Sequence, residues 1–254
     1  MILYGDYHTH TRYSGKKIHV KHGKSTILEN ALCAKQKGLK EIGITEHGFN
    51  HIAYGIKRKY LKDMREEIEI VKEKTGINIL LGIEANFISS DGDIDVREED
   101  LKYLDYLVVG FHKFVKAKNI KEFFKFILPN VLGFHRKKDI KRNTLAVLKA
   151  MDKYPIDIIS HPGVNMPVDF NEIVPQANKT STILELNGKR IAYTQKDVEI
   201  LKKHNAKLII NSDAHIATNV GECNKGVNFA IMYDINRESI VNLSTRPNFK
   251  RLQK

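Results

Sequence analysis

The sequence predicts an α/β chain whose parallel strands close into a barrel. Three observations lead there. Seven short stretches rich in β-branched and other apolar residues recur along the 254 residues. A longer, polar and periodic segment separates each from the next, and each apolar stretch delivers a histidine, carboxylate or amide at its end. Strand followed by helix, repeated without a linker or low-complexity segment, calls for parallel strands with helical crossovers, either doubly wound or closed. An open sheet gathers its ligands at one switch point, whereas a barrel brings every strand end around one mouth. The even spread of polar residues favours closure. With seven strands rather than eight, the expected fold is a distorted (β/α)7 relative of the TIM barrel, a single domain over residues 1–254, with its site at the C-terminal ends of the strands.

Taken in order, residues 2–7 form the first strand and lead to His8 and His10. Residues 26–37 place Ile27, Ala31 and Ala34 on one helical face and stop at Gly38, the residue type that most readily ends a helix. A strand at 41–45 leads to His47, and a periodic segment at 60–74 predicts the next helix. Strands at 79–83 and 106–110 lead to Glu84 and His112, with helices expected at 120–128 and 139–153. The stretch 157–160 precedes His161, and 182–186 precedes Asn187. A helix at 195–204 and a last strand at 207–212 bring the chain to Asp213 and His215. The tail after Asn228 shows no recognisable chemistry.

Composition narrows the class. Apolar residues make up 42% of the chain, enough for a substantial core, and no run approaches the roughly 20 apolar residues that span a bilayer. The start MILYGDYHTH lacks the apolar region of a secretory signal, so a cytoplasmic protein with no membrane partner is expected. Cys33 and Cys223 belong to no thiol cluster and read as free thiols. A net charge of +12 favours acidic partners such as phosphorylated metabolites or nucleic acid, although a lysine-rich solvated surface gives the same balance.

The candidate chemistry lies at the strand ends. His8 and His10, two residues apart, share a face and can grip one ion, and Asp213 with His215 repeats the spacing. Glu84 closes the run Ile-Leu-Leu-Gly-Ile-Glu, where a carboxylate is costly to bury unless it bridges metal. His47, His112 and His161 each follow a strand. Counting His22, seven of the eleven histidines and two carboxylates fall where one geometry would gather them.

These residues sit in Asp6-x-His8-x-His10-Thr11, Thr45-Glu46-His47-Gly48, Gly82-Ile83-Glu84-Ala85-Asn86, Ser160-His161-Pro162-Gly163 and Ser212-Asp213-Ala214-His215. In that order they resemble the polymerase and histidinol phosphatase (PHP) family over nearly the whole chain, and Gly110-Phe111-His112 resembles its small stand-alone phosphatase branch. The resemblance implies two to three divalent ions, zinc, manganese or iron. It implies His8, His10, Glu84 and Asp213 around one metal, Glu84, His112 and His161 around a second, and His22, His47 and His215 around a third. His22 is preferred to His19 because it immediately precedes Gly23-Lys24-Ser25-Thr26 and a helix start. Glu46 departs from the aspartate the family often carries there.

A site of this kind suits phosphate ester hydrolysis by metal-activated hydroxide, with His8, His10, Glu84 and Asp213 at its catalytic heart. Small phosphorylated metabolites are the expected substrates, histidinol phosphate among them. Arg12, Lys113, Asn187 and Arg190 are candidate substrate-binding residues by position, though solvated loop charges or, for Asn187, a turn-ordering amide account for them equally. Residues 113–142 interleave cations with phenylalanines, which fits a single-stranded nucleic-acid surface, an amphipathic helix packed on the barrel, or a lid. His51, His135 and His204 lie outside the strand-end pattern. The competing functions are a nuclease or phosphodiesterase acting on nucleotides or DNA ends, an amidohydrolase-type deaminase, and a non-catalytic metal- and phosphate-binding protein.

Overall fold

The computed structural model describes residues 1–15, 22–134 and 136–253. Seven strands, β1 (Gly5–Thr9), β2 (Glu41–His47), β3 (Asn78–Asn86), β4 (Tyr106–Gly110), β5 (Ile158–Ile159), β6 (Ile183–Asn187) and β7 (Leu208–Asn211), pair in sequence order, every pair parallel. The predicted fold class is the observed one. Register already begins the site, because β2 and β3 pair so that His47 lies opposite Glu84.

Closure between β1 and β7 relies largely on side chains. At the upper end Thr9 bridges Ala214, with His10 N donating to Ala214 O at 2.7 Å. Below it, Asn211 Oδ1 accepts from Tyr7 N at 2.9 Å, and the buried Asp6 carboxylate accepts from Ser212 N and Gly221 N. Lower still, Asn242 accepts from Ile210 N and donates to Ile210 O and Gly5 O. The chain around it pairs with both strands, Val241 N donating to Leu208 O and Tyr4 N to Asn242 O, each at 2.8 Å. The tail, in which the sequence shows no chemistry, fills the place of an eighth strand.

The principal helices follow their local signals. In α1 (Ile27–Gln36), Thr26 and Glu29 form a reciprocal capping box, and Gly38 at φ +79° turns the chain out. In α2 (Tyr60–Thr75), Gly76 at φ +70° does the same. Short helices α3 (Glu98–Leu101), α4 (Ile120–Glu122) and α5 (Leu128–Val131) precede α6 (Lys137–Lys153). Next come α7 (Phe170–Lys179), α8 (Gln195–Lys203) and α9 (Asn224–Met232), of which α7 and α9 are absent from the sequence reading. In α7, Pro175 stands inside an otherwise helical spacing of buried Phe170, Ile173, Val174 and Ala177.

The expected helix at 120–128 is interrupted. Phe123–Ile127 forms a π turn, with Leu128 N bonded to Phe123 O. Pro129 has no N–H to continue the α pattern, and Asn130 Nδ2 takes Phe126 O instead. Phe126 is fully buried, but Phe123 and Phe124 stay exposed, so this segment is not a plain helix with its phenylalanines packed on the barrel.

Inside the barrel lie Tyr7, Leu80, Tyr106, Val108, Ile158, Ile183 and Ile209, joined by Phe249 from the tail. Gly43 is required beside Tyr106, since a Cβ there would meet the phenol oxygen at 1.9 Å. Phe249 stacks on Tyr106 with centroids 4.7 Å apart. Around it Arg246 Nε donates to buried Glu41, and Lys250 N to Asp157, sealing the N-terminal ends of the strands. We expect Phe249→Ala to lose about 3–5 kcal/mol in denaturant unfolding. A loss within experimental error would show that the tail is not part of the core.

Asp157 offers a pH test of the same end. Burial pushes its carboxyl up to about 6, opposed by backbone hydrogen bonds from Lys250 and Leu107. A folded pKa above the unfolded value makes a contribution to stability that is complete below about 3.8 and lost as pH rises through about 6. Relative to Asp157→Asn, the wild-type chain should therefore lose about 3 kcal/mol across that window. Parallel stability–pH curves for the two proteins would remove this assignment.

Candidate metal centre

At the other end of the barrel, all nine residues that the sequence nominates as ligands converge. Glu84 stands at the centre, wholly buried. Its Oε1 lies 2.9 Å from His161 Nε2 and 3.2 Å from His8 Nε2, and its Oε2 lies 3.1 Å from His47 Nδ1, 3.3 Å from His112 Nε2 and 3.7 Å from His10 Nε2. Asp213 Oδ1 approaches His10 Nε2 and His215 Nδ1, each at 3.4 Å. The His22 ring lies 4.3 Å from that of His215 and 5.0 Å from that of His47, stacked on Tyr54. His19 and His135 lie outside the described residues.

Three groups have donor atoms close enough together to share an ion: His8, His10 and Asp213; His47, Glu84 and His112; and His10, His47 and His215. They partition the ligands differently from the sequence expectation. His10 stands in place of His22 beside His47 and His215, and His47 also joins Glu84 and His112. A test of fit comes from the unpaired atoms. His8 Nε2, both ring nitrogens of His10 and His47, Glu84 Oε2 and His161 Nδ1 are buried without a hydrogen-bond partner. Orphaned imidazole nitrogens around an orphaned carboxylate oxygen suit a divalent cation.

The surrounding residues aim these rings. Glu185, buried on β6, accepts from His8 Nδ1 at 2.8 Å, from His161 N at 2.8 Å and from the amides of Asn187 and Asn211. With Nδ1 engaged, His8 turns Nε2 inward. Asn86 does the same for His112, whose Nδ1 lies 2.8 Å from Asn86 Oδ1, and Asp95 in turn holds the Asn86 amide. Glu46 accepts from Thr11 N and from the Thr11 and Ser14 hydroxyls, bracing the loop after His10. Burial lifts the Glu46 carboxyl to about 7 against those bonds.

Charge is strongly coupled here. Burial disfavours ionisation of Glu84, yet His112 and His8 hold its carboxyl well below the usual range. Burial likewise opposes charge on His8, but Glu84, Glu185 and Asp213 outweigh it and raise its pKa well above normal. In His10 and His47 burial prevails and the pKa falls well below normal. Low-pKa imidazoles remain neutral donors at pH 7, the form that binds metal.

Above these groups opens a cavity of about 660 Å³. Lys113 and Arg190 line it, together with Lys24 and Lys189, which the sequence reading does not single out; Arg12 does not. Lys189 Nζ reaches within 2.7 Å of His215 Nδ1 and 3.5 Å of Asp213 Oδ1. Asn187 is buried beneath the cavity, its Oδ1 accepting from Lys189 N and Arg190 N. That is the turn-ordering role. Phe114, His161, Asn165 and Asp213 all line the cavity with positive φ, backbone strain of a kind concentrated at functional sites.

A family model described as "PHP domain" matches residues 6–240. The chain belongs to the PHP domain family. A probable phosphatase of Clostridium novyi (strain NT) is 30% identical over 251 residues, covering 93% of this chain and 89% of that one. One of Caldanaerobacter subterraneus subsp. tengcongensis is 31% identical over 254 residues, covering 94% and 86%. Among solved structures, the histidinol phosphate phosphatase of Lactococcus lactis subsp. lactis, complexed with zinc, L-histidinol and phosphate, superposes with a TM-score of 0.59 at 14% identity, covering 93% of this chain and 95% of that one. The PHP resemblance and the barrel both hold, and the names of the relatives agree with an enzyme of the phosphatase class.

Besides Lys24 and Lys189 on the rim, the sequence reading leaves Glu185 unmarked. Its signal is the one that marks Glu84, a carboxylate inside an apolar strand. Glu185→Gln removes the charge but keeps the shape, so metal affinity should weaken by about 10–100-fold in chelator competition. Unchanged affinity with intact circular dichroism would exclude an orienting role.

Proposed function

We propose that this PHP protein is a metal-dependent phosphatase acting on phosphomonoesters of small metabolites. One observation carries the reading. A buried carboxylate, Glu84, stands within 3.7 Å of five histidines, several of their inward nitrogens unpaired, at the floor of a cavity rimmed by cations. His8, His10, Glu84 and Asp213 would hold one ion, His112 and His161 with Glu84 another, and His47 and His215 with His22 or His10 a third. Mixed imidazole and carboxylate donors suit zinc, manganese or iron. Such ions, when bound, supply Lewis acidity towards a phosphoryl oxygen and an acidified water as nucleophile.

The chain's own residues orient and neutralise. Lys189, Arg190 and Lys113 offer donors to the non-bridging oxygens, and Lys189 exchanges its contact with His215 for one with the phosphate. Glu185 and Asn86 keep His8 and His112 in one tautomer throughout. The strained backbone at His161 and Asp213 holds the donor set open towards the cavity rather than closed on itself. The Lactococcus lactis relative's complex with L-histidinol and phosphate supports a small phosphorylated substrate, and its zinc supports that metal.

The test is hydrolysis of an aryl phosphate monoester and diester by metal-stripped protein reconstituted in turn with zinc, manganese and iron. Monoester turnover should require metal, vanish in His10→Ala and place oxygen from labelled water in the phosphate. Preference for the diester would transfer the assignment to a phosphodiesterase, and label in the alcohol would overturn attack at phosphorus.

A further inference from the structure

The buried polar atoms without partners fall into two sets. Among the described residues, and apart from Asn30 Oδ1, those outside the metal centre are Ser90 Oγ and, on Arg142, Nε and an Nη2 that meets only Asp139 Oδ1, at 2.9 Å. Ser90 and Arg142 line one cleft of about 540 Å³, formed by the loop after β3, the π turn and the start of α6. None of the metal-centre residues lines it. Ser90 is 4% exposed, and its backbone N–H is already taken by Glu122. Arg142 faces Asp139 at 2.9 Å, yet its Nε has no acceptor. Two buried donors without acceptors in the wall of one cleft are costly unless an acceptor reaches them.

Charge in the cleft identifies that acceptor. Lys125, Arg136, Lys138, Lys141 and Lys149 line it besides Arg142, against a single acidic lining residue, Asp91, which pairs with Lys149. Glu122 and Asp139 lie behind the wall and offset part of this charge. Lys138 and Lys141 have no ion-pair partner among the described residues. The cleft also receives the first turn of the 17-residue α6, where Arg136 at the N-cap gives no side-chain cap and Lys137 and Lys138 stand beside the buried Asp139. Asp139 answers the helix end and its two arginine partners, Arg136 and Arg142, and leaves Lys137 and Lys138 as cations at the positive end of a helix, where an added anion is favourable. Phe124, 61% exposed, and Leu145 give the cleft an apolar side.

We infer that this cleft is a second anion site, taking a chain of two or more phosphates, either free or carried by a nucleoside. Ser90 Oγ and Arg142 Nε donate to one phosphoryl group, and Lys138 and Lys141 neutralise the next. Phe124 provides a face for a base when one is attached. Its volume of about 540 Å³ fits a small molecule. The site stands apart from hydrolysis at the metal centre and does not depend on that reading.

Titration calorimetry with inorganic triphosphate and with a nucleoside triphosphate tests it, on wild-type protein, Lys138→Ala/Lys141→Ala, Phe124→Ala and the metal-centre variant His10→Ala. Both probes should bind, tenfold or more weaker in the lysine double variant by the usual worth of charge-assisted bonds, about a decade each, and unchanged in His10→Ala. Tighter binding of the nucleotide, abolished by Phe124→Ala, would assign the natural ligand to nucleotides, and equal binding to free oligophosphate. Binding lost in His10→Ala but kept in the double variant would overturn the site, as would no binding of either probe. A single-stranded oligonucleotide binding far more tightly than both would overturn it in favour of a nucleic-acid surface. Far-ultraviolet circular dichroism on each variant separates loss of binding from loss of fold.

Discussion

The structure depends on keeping one carboxylate charged where water cannot reach it. Glu84 is wholly buried, and its Oε2 has no hydrogen-bond donor. Left alone, such a group would take up a proton. His112, His8 and His161 oppose that, and they can do so only because strand order sets them there. Pairing of β2 with β3 puts His47 opposite Glu84, and His8, His112 and His161 arrive from strands β1, β4 and β5. The barrel is the device that makes this concentration of donors possible, and the unpaired donors are a debt in stability that a divalent ion settles.

That debt has to be carried elsewhere when no ion is bound, and the opposite end of the barrel carries it. There the interior is apolar and full, Phe249 is driven against Tyr106, and the tail supplies Arg246 to Glu41 and Lys250 to Asp157. The seam between β1 and β7 divides along the same line. Its upper part is joined by the residues that bear ligands, at Thr9 and Ala214, so seam and site form together. Its lower part is joined by Asn242, with no part in the chemistry.

Most of the site could be read from the sequence because one rule governs it: a polar residue that closes or closely follows an apolar stretch falls within two residues of its strand's C-terminal end and faces the mouth. His8, His47, Glu84, His112, His161 and Asp213 all obey it. Glu185 escapes because the apolar stretch of sequence runs past it to Leu186, and attention passes to Asn187, the last residue of β6, which orders the following turn. Helix α7 escapes because Pro175 interrupts its pattern. The role of the tail was illegible for a different reason. Phe249 acts through Tyr7 and Tyr106, and Asn242 through both Ile210 and the far more distant Gly5, contacts that no local periodicity encodes. The partition of ligands among ions also depends on distances between rings rather than on strand ends.

The positive charge of the chain now has locations. Part lies on the rim of the metal cavity, at Lys24, Lys113, Lys189 and Arg190, and part lines the cleft beside α6. Cations crowded around a concave surface repel one another, and anions relieve that repulsion. The same logic explains the exposed phenylalanines. Phe114, Phe123, Phe124 and Phe134 all fall in the segment between β4 and α6, which touches both cavities. A π turn and the positive φ of Phe114 keep this segment from settling into a plain amphipathic helix that would bury those rings. Positive φ thus recurs around the metal cavity, at Phe114, His161 and Asp213, in the part of the chain where backbone strain is characteristic of functional sites.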